Sequence, residues 1–133
     1  MTRLGEGRLG APVGGEPVGP IWRGFFWAAA LFGFAIGALA MFSPAATADA
    51  RVTGLLWFCF GLVFMLVARE PLRFVSVLWP GLIAKAGMIF LLAPSAVDAS
   101  GDPLIVAILA VEGLFALGFL GFLMSRRNVD AIE

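Results

Sequence analysis

Two ionisable side chains stand inside apolar runs of this sequence, and they are the residues that could do chemistry. Lys85 lies within the stretch 79–87, and Glu112 is the carboxylate inside the run 104–124. An ammonium and a carboxylate can form an ion pair, bind a polar head group or transfer a proton. Either charge costs about 2.5–3.5 kcal/mol at the centre of a membrane helix. We therefore expect both side chains to face the protein interior.

The composition is that of a membrane protein. The chain has 133 residues, of which 61% are hydrophobic and 14% charged, and its mean hydropathy is +0.99. This balance lies far from that of soluble domains. The formal net charge is zero, so nothing indicates a nucleic-acid partner.

Several kinds of chemistry are missing from the sequence. It contains no histidine and one cysteine, Cys59, which excludes an intrachain disulfide and a Ser-His-Asp triad. It also has no CxxC, no HExxH, no P-loop and no GxGxxG leading into a helix. No residue set supports an enzyme or a metal site, and no motif indicates a cofactor.

Four apolar runs have the length of membrane-spanning helices. A helix that crosses about 30 Å of hydrocarbon needs about 20 residues, and about 17 still suffice. The runs cover residues 22–42, 52–68, 74–93 and 104–124. Each must be helical because lipid offers no partner to an unpaired backbone group. Since the linkers are short, the sequence predicts an all-α integral membrane four-helix bundle, antiparallel and up-down-up-down, in one domain over 21–125.

The ends of the chain are expected to lie outside the bundle. Residues 1–20 contain six glycines and three prolines, which predicts a disordered tail; whether it binds anything stays open. Residues 126–133 are expected to form a short second tail. The run 22–42 resembles a signal peptide, but it exceeds the usual apolar core of about 7–15 residues, so we expect it to be retained as a span.

Arginines are distributed unevenly over the predicted loops. Arg51 lies alone on one side of the predicted membrane, and the other side carries Arg3, Arg8, Arg23, Arg69, Arg73, Arg126 and Arg127. The positive-inside rule therefore predicts that both termini are cytoplasmic. Arg69, Arg73, Arg126 and Arg127 are interpreted as topology determinants that also meet anionic lipid head groups.

The two buried charges are predicted to meet. Lys85 stands eight residues before the end of the third run, and Glu112 eight residues after the start of the fourth. At about 1.5 Å per residue, both lie about 12 Å below the same boundary of an antiparallel hairpin. The pair is interpreted either as a structural contact between helices three and four or as part of a polar pocket for a ligand or a proton. The sequence does not decide between these two roles.

Neighbours of Lys85 are candidates for the lining of such a pocket. Pro80 removes a backbone hydrogen bond near Ser76, and a kink there would open space beside the lysine; the alternative is a membrane proline around which neighbours have repacked. Gly81 and Met88 share a helix face with Lys85. The pocket-lining candidates are Ser76, Trp79, Pro80, Gly81 and Met88.

Gly33 and Gly37 form a Gly-x-x-x-Gly motif in the first apolar run. Such spacing lets helix backbones approach closely in membranes. We interpret the motif as a helix-packing face.

Residues 69–74 (Arg-Glu-Pro-Leu-Arg-Phe) and 78–85 (Leu-Trp-Pro-Gly-Leu-Ile-Ala-Lys) resemble a pattern in small four-span bacterial proteins of the DoxX-like type. In that pattern, a basic-Pro-basic turn leads into a helix with a Trp and a later Lys. The relatives often carry Asn-Asp before an aromatic cluster in the fourth helix, where this chain has Val-Glu112-Gly. The resemblance implies a four-helix bundle in the bacterial cytoplasmic membrane and a link to quinone-coupled redox complexes.

Three functions remain open from the sequence. The first is a non-catalytic accessory or assembly component of a membrane complex, with a membrane-protein partner or a second copy of the chain. The second is a protein that binds a lipophilic ligand, a quinone or a lipid, beside Lys85 and Glu112. The third is a small proton-coupled transporter in which Glu112 titrates. Ligand, partner and oligomeric state are not encoded in any recognisable motif.

Overall fold

The computed structural model describes residues 18–98 and 101–132, with side chains as far as Arg127. Every regular element in these ranges is a helix. Four of the helices are long and apolar enough to cross a membrane, with mean hydropathies between 1.8 and 2.4. The prediction of an all-helical fold with four helices long and apolar enough to span a membrane is confirmed. The predicted N-terminal tail falls largely outside the described residues.

The four long helices follow the predicted runs closely. They are α1 (Pro20–Phe42), α2 (Ala48–Arg69), α3 (Leu78–Ala96) and α4 (Pro103–Ile132). A 3-10 turn over Val75–Val77 leads directly into α3 and completes its membrane span. α4 continues beyond the predicted end of the fourth span, so much of the predicted C-terminal tail is helical.

Local signals in the sequence set several helix ends. Pro20 occupies the first turn of α1, where its missing N–H has no intrahelical partner to lose. The Thr47 hydroxyl accepts a hydrogen bond from the Ala50 N–H at 3.3 Å and caps α2. The Asp102 carboxylate accepts one from the Leu104 N–H at 2.9 Å at the start of α4. The starts of these helices are therefore set by residues that commonly begin or cap helices.

Glycines bring α1 and α2 into close contact. A methyl group added to Gly33 would stand 3.0 Å from Gly61 Cα, and one added to Gly37 would stand 2.6 Å from the Gly54 carbonyl oxygen. Gly37, Gly54 and Gly61 are all buried. Because only a hydrogen fits at these positions, the Gly-x-x-x-Gly motif of α1 packs against α2 of the same chain.

An aromatic core fills one end of the bundle, which we call the closed end. It takes residues from the first half of α1, the second half of α2, the start of α3 and the middle part of α4. These residues are Phe26, Ala29, Ala30, Phe64, Val67, Ala68, Leu78, Phe115, Phe119, Phe122 and Leu123. Ring centroids of Phe26 and Phe122 are 5.0 Å apart in a T-shaped contact, an arrangement that aromatic pairs prefer.

The other end of the bundle has little buried core. In 31–60 and in the described part of 86–111, the buried residues are Gly37, Gly54 and Leu109. The two glycines belong to the contact between α1 and α2. The α1–α2 hairpin is therefore tight at this end, whereas few side chains fill the space between it and α3.

Candidate functional site

Lys85 and Glu112 occupy the middle of two membrane spans. Lys85 is near the centre of the span Val75–Ala96, and Glu112 lies nine residues after the start of the span Pro103–Arg127. Each is therefore about 13–16 Å from the nearer end of its span. Lys85 is 7% exposed and Glu112 4% exposed, so both charges are shielded from lipid.

The two side chains are in direct contact. Lys85 Nζ donates a hydrogen bond to Glu112 Oε2, and the two groups form an ion pair. A buried ammonium and a buried carboxylate that share a hydrogen bond avoid much of the desolvation cost of a lone charge. This contact joins α3 to α4 well inside both candidate spans.

Three phenylalanine rings surround the ammonium. Lys85 Nζ lies 5.1 Å from the ring centroid of Phe64, 5.5 Å from that of Phe115 and 5.6 Å from that of Phe119. A cation within about 6 Å of a ring face is attracted by the ring quadrupole. The rings belong to the core of the closed end, so the ion pair adjoins that core directly.

Gly81 makes room for one of these rings. A methyl group added to Gly81 would lie 2.9 Å from Cε1 of Phe64. Gly81 stands one helical turn before Lys85, so the missing side chain lets the Phe64 ring of α2 reach over α3 toward the ammonium. The glycine thus helps to position the ring beside the charge.

Lys85 and Glu112 also form part of the wall of a cavity, which we call the α2–α3 groove. Its volume is about 540 Å³, within the roughly 300–1,000 Å³ of small-molecule sites. All of its other lining side chains are uncharged. The lining residues are Ala29, Gly33, Thr53, Leu56, Trp57, Phe60, Phe64, Gly81, Ile83, Ala84, Lys85, Gly87, Met88, Leu91, Leu92 and Glu112.

The groove opens at the side of the bundle. Leu56 and Phe60 on the α2 wall are exposed, as are Ile83 and Leu91 on the α3 wall. In a membrane, such apolar side chains face the lipid tails. An apolar molecule could therefore reach the ion pair from the bilayer without crossing water.

The predicted pocket-lining residues divide into two groups. Gly81 and Met88 line the groove, whereas Ser76, Trp79 and Pro80 do not. Ser76 belongs to the 3-10 turn, and Trp79 and Pro80 to the first turn of α3; all three are exposed. Pro80 therefore stands near a helix start, where a proline is well tolerated, and not in the interior of α3.

The predicted topology residues lie at the closed end. Arg73 forms an exposed 3.1 Å ion pair with Glu70 in the loop between α2 and α3, and Arg69 ends α2. The Arg126 guanidinium lies 5.2 Å from the Phe122 ring centroid, and Arg127 is exposed. These arginines lie at the closed end and do not line the groove.

Sequence reasoning did not identify the aromatic contribution to the site. Phe64, Phe115 and Phe119 are not among the candidate site residues predicted from the sequence. A signal was present, because Glu112, Phe115 and Phe119 follow one another at i, i+3 and i+7 and so share a helix face. The α2 wall, with Trp57, Phe60 and Phe64, repeats the same periodicity.

The site offers hydrogen bonding and charge, and little else. Among the residues described, no group of three or more His, Cys, Asp or Glu side chains could hold a metal ion. What the geometry provides is an ammonium and a carboxylate at one point of an apolar groove. Such a site can orient an apolar molecule through a few polar contacts.

Comparison with protein-family models, with curated proteins and with solved structures gives no match.

Proposed function

We propose that this chain is a non-catalytic integral membrane protein that binds a lipophilic small molecule in the α2–α3 groove. The observation that supports the proposal is the place of the ion pair. Lys85 and Glu112 contact each other and at the same time form part of the wall of a cavity of about 540 Å³. A purely structural pair gains nothing from adjoining a cavity, whereas a binding site needs polar groups within reach of its ligand.

The membrane setting supports the same proposal. Ionisable residues in the middle of a span are costly and commonly mark functional sites. Here the cost is reduced by pairing and by three aromatic rings, which leaves polar groups that a ligand can use. A quinone, to which the DoxX-like resemblance points, and a lipid are both lipophilic enough to enter from the bilayer.

The proposed topology is an antiparallel bundle with both termini in the cytoplasm of a bacterial cell. Two observations support it. Later residues of α1 meet earlier residues of α2, since Gly33 packs on Gly61 and Gly37 on Gly54. Arg69 ends α2, Arg73 lies in the loop that follows it, and Arg126 lies near the end of the fourth candidate span, all on the side that we place in the cytoplasm. The groove then extends from the ion pair toward the outer leaflet.

The accessory role expected from the sequence stays a prediction. Such a role needs surfaces for contact with other proteins, but the helix-packing face of Gly33 and Gly37 contacts α2 of the same chain. The motif is thus occupied within the chain, which leaves ligand binding as the better supported proposal. Proton-coupled transport is likewise a prediction without further support.

Blocking the groove tests the proposal. Ala84 lines the α2–α3 groove, whereas Ala86 lies on the same helix outside it. The wild-type protein and the Ala84→Trp and Ala86→Trp variants would be purified in mild detergent, and solvent extracts compared by mass spectrometry. We expect a lipophilic molecule to copurify with wild type and Ala86→Trp and to be lost from Ala84→Trp.

A second variant tests the polar groups. Lys85→Ala should lower the amount of the same molecule while leaving the cavity open. If no lipophilic molecule is enriched over bulk lipid in the wild-type extract, or if Ala84→Trp retains it in full, the groove is not a binding site.

A further inference from the structure

The α2–α3 groove contains a hydrogen-bond donor and an acceptor at one point. The Lys85 ammonium has three N–H groups, and it donates one hydrogen bond, to Glu112 Oε2. Among the described residues, the hydrogen bond from Lys85 is the one that the Glu112 carboxylate accepts, and it goes to Oε2. Free donor and acceptor capacity therefore remains on two residues that both line the cavity.

The charges of the Lys85–Glu112 ion pair cancel. The ammonium and the carboxylate sum to zero, and no other charged side chain lines the groove. A ligand head group with a net charge would add an unpaired charge near the centre of the membrane, where charges are least tolerated. It would also face repulsion from whichever partner carries the same sign. The balance favours an uncharged head group.

The shape of the groove favours a single apolar chain. Along α3 it extends from Gly81 to Leu92, a distance of about 16 Å. Lys85 is near the first end, so most of that length lies beyond the ion pair. Trp57 and Phe60 on one side and Met88 and Leu91 on the other form a mainly apolar channel, in which the charged groups are those of the ion pair and the further polar groups are the Thr53 hydroxyl and the Trp57 indole N–H.

We infer that the groove binds a single-chain amphiphile with an uncharged head group that carries both a carbonyl or ether acceptor and a hydroxyl donor, as a monoacylglycerol does. The acceptor receives a hydrogen bond from Lys85, the hydroxyl donates one to Glu112, and the chain lies between α2 and α3. This inference depends on the proposed function and specifies the chemical class of its ligand.

A series of amphiphiles with one chain and three head groups tests the inference. Delipidated full-length protein would be titrated with monoolein, oleate and oleylamine, and binding followed by native mass spectrometry. Wild type should bind monoolein about tenfold or more tightly than either charged amphiphile, because only the neutral head leaves the charges balanced. Ala84→Trp should abolish binding of all three, and Ala86→Trp should not.

Charge variants make the test more specific. Lys85→Met leaves the carboxylate alone, so the preference should change to oleylamine; Glu112→Leu leaves the ammonium alone, so it should change to oleate. The double variant Lys85→Met with Glu112→Leu should bind the three amphiphiles about equally. The double variant carries no unpaired buried charge, so it can still be assayed if a single variant fails to fold.

The outcomes separate the two proposals. If wild type binds none of the three amphiphiles in the groove, the inference is overturned; the proposed function is overturned only if the wild-type extract also shows no enriched lipophilic molecule. If it binds all three equally, or a charged one best, and Ala84→Trp abolishes this binding, the groove is a ligand site but its head-group selectivity is not the one inferred.

Discussion

Lys85 and Glu112, 27 positions apart in the chain, meet where the aromatic core of the closed end stops and the α2–α3 groove begins. The Phe64, Phe115 and Phe119 rings cover the lysine on the core side. The same ion pair thus completes the packing of one half of the bundle and supplies the polar groups of the other half. Structural and functional roles of the pair are therefore compatible.

Breaking this pair on one side should destabilise the protein far more than replacing both partners. Lys85→Met leaves a carboxylate without its counter-charge, and Glu112→Leu leaves an ammonium. Each should lower the free energy of unfolding by about 3 kcal/mol, whereas the double variant should stay within about 1 kcal/mol of wild type. Unfolding by titration with denaturing detergent measures all four proteins. Single variants as stable as the double one would mean that the pair contributes no coupling.

Gly37 tests the contact between α1 and α2. A methyl group there would lie 2.6 Å from both the Gly54 carbonyl oxygen and the Phe58 amide nitrogen. Since both are backbone atoms, the helices must move apart, and we expect Gly37→Ala to lower stability by about 1–3 kcal/mol. Gly24→Ala is the matched control on α1, because nothing lies within 4 Å of its added methyl group. Equal effects of the two substitutions would show that close packing is not what Gly37 provides.

Much of the fold was predictable from the sequence, since membrane physics restricts the choices. A run of about 20 apolar residues must be a helix in lipid, and α1 to α4 fall on the four predicted runs. The Gly-x-x-x-Gly motif predicted a packing face, and α1 presents it to α2. Sequence alone did not say whether that partner was in the same chain.

The groove was less predictable, because it exists where the side chains of α2 and α3 leave the space between the helices unfilled. Its α2 wall and the ring of Phe64 come from a helix that no charge or motif marked as functional. Pro80 drew attention because of the kink that a proline can cause, but helix α3 starts at Leu78, so the proline is in its first turn. A helix boundary that differs by a few residues was enough to change the role of that residue.

Gly118 should be as sensitive as Gly37, for a different reason. The Phe25 ring of α1 packs directly on Gly118 of α4, and that ring lies 5.5 Å from the Phe115 ring and 5.9 Å from the Phe119 ring. A methyl group on Gly118 would displace a ring that its neighbours hold in place. We expect Gly118→Ala to lower stability by about 1–3 kcal/mol, measured by the same detergent titration.

Gly121→Ala is the control for this substitution. Gly121 is on the same helix, and nothing lies within 4 Å of the position that its methyl group would take. Its effect should stay below about 1 kcal/mol. Should the two variants prove equally stable, the Phe25 ring must be free to move away.

The proposed orientation can be tested with single cysteines in two loops. Cys59, the one native cysteine, would first be replaced by alanine. Ala45 lies in the exposed loop between α1 and α2, and Leu72 is 43% exposed in the loop between α2 and α3. If Arg69 and Arg73 stay in the cytoplasm, a membrane-impermeant maleimide should label Ala45→Cys in intact cells. It should label Leu72→Cys only after the membrane is permeabilised. The reverse pattern would invert the bundle and would place the groove in the cytoplasmic leaflet.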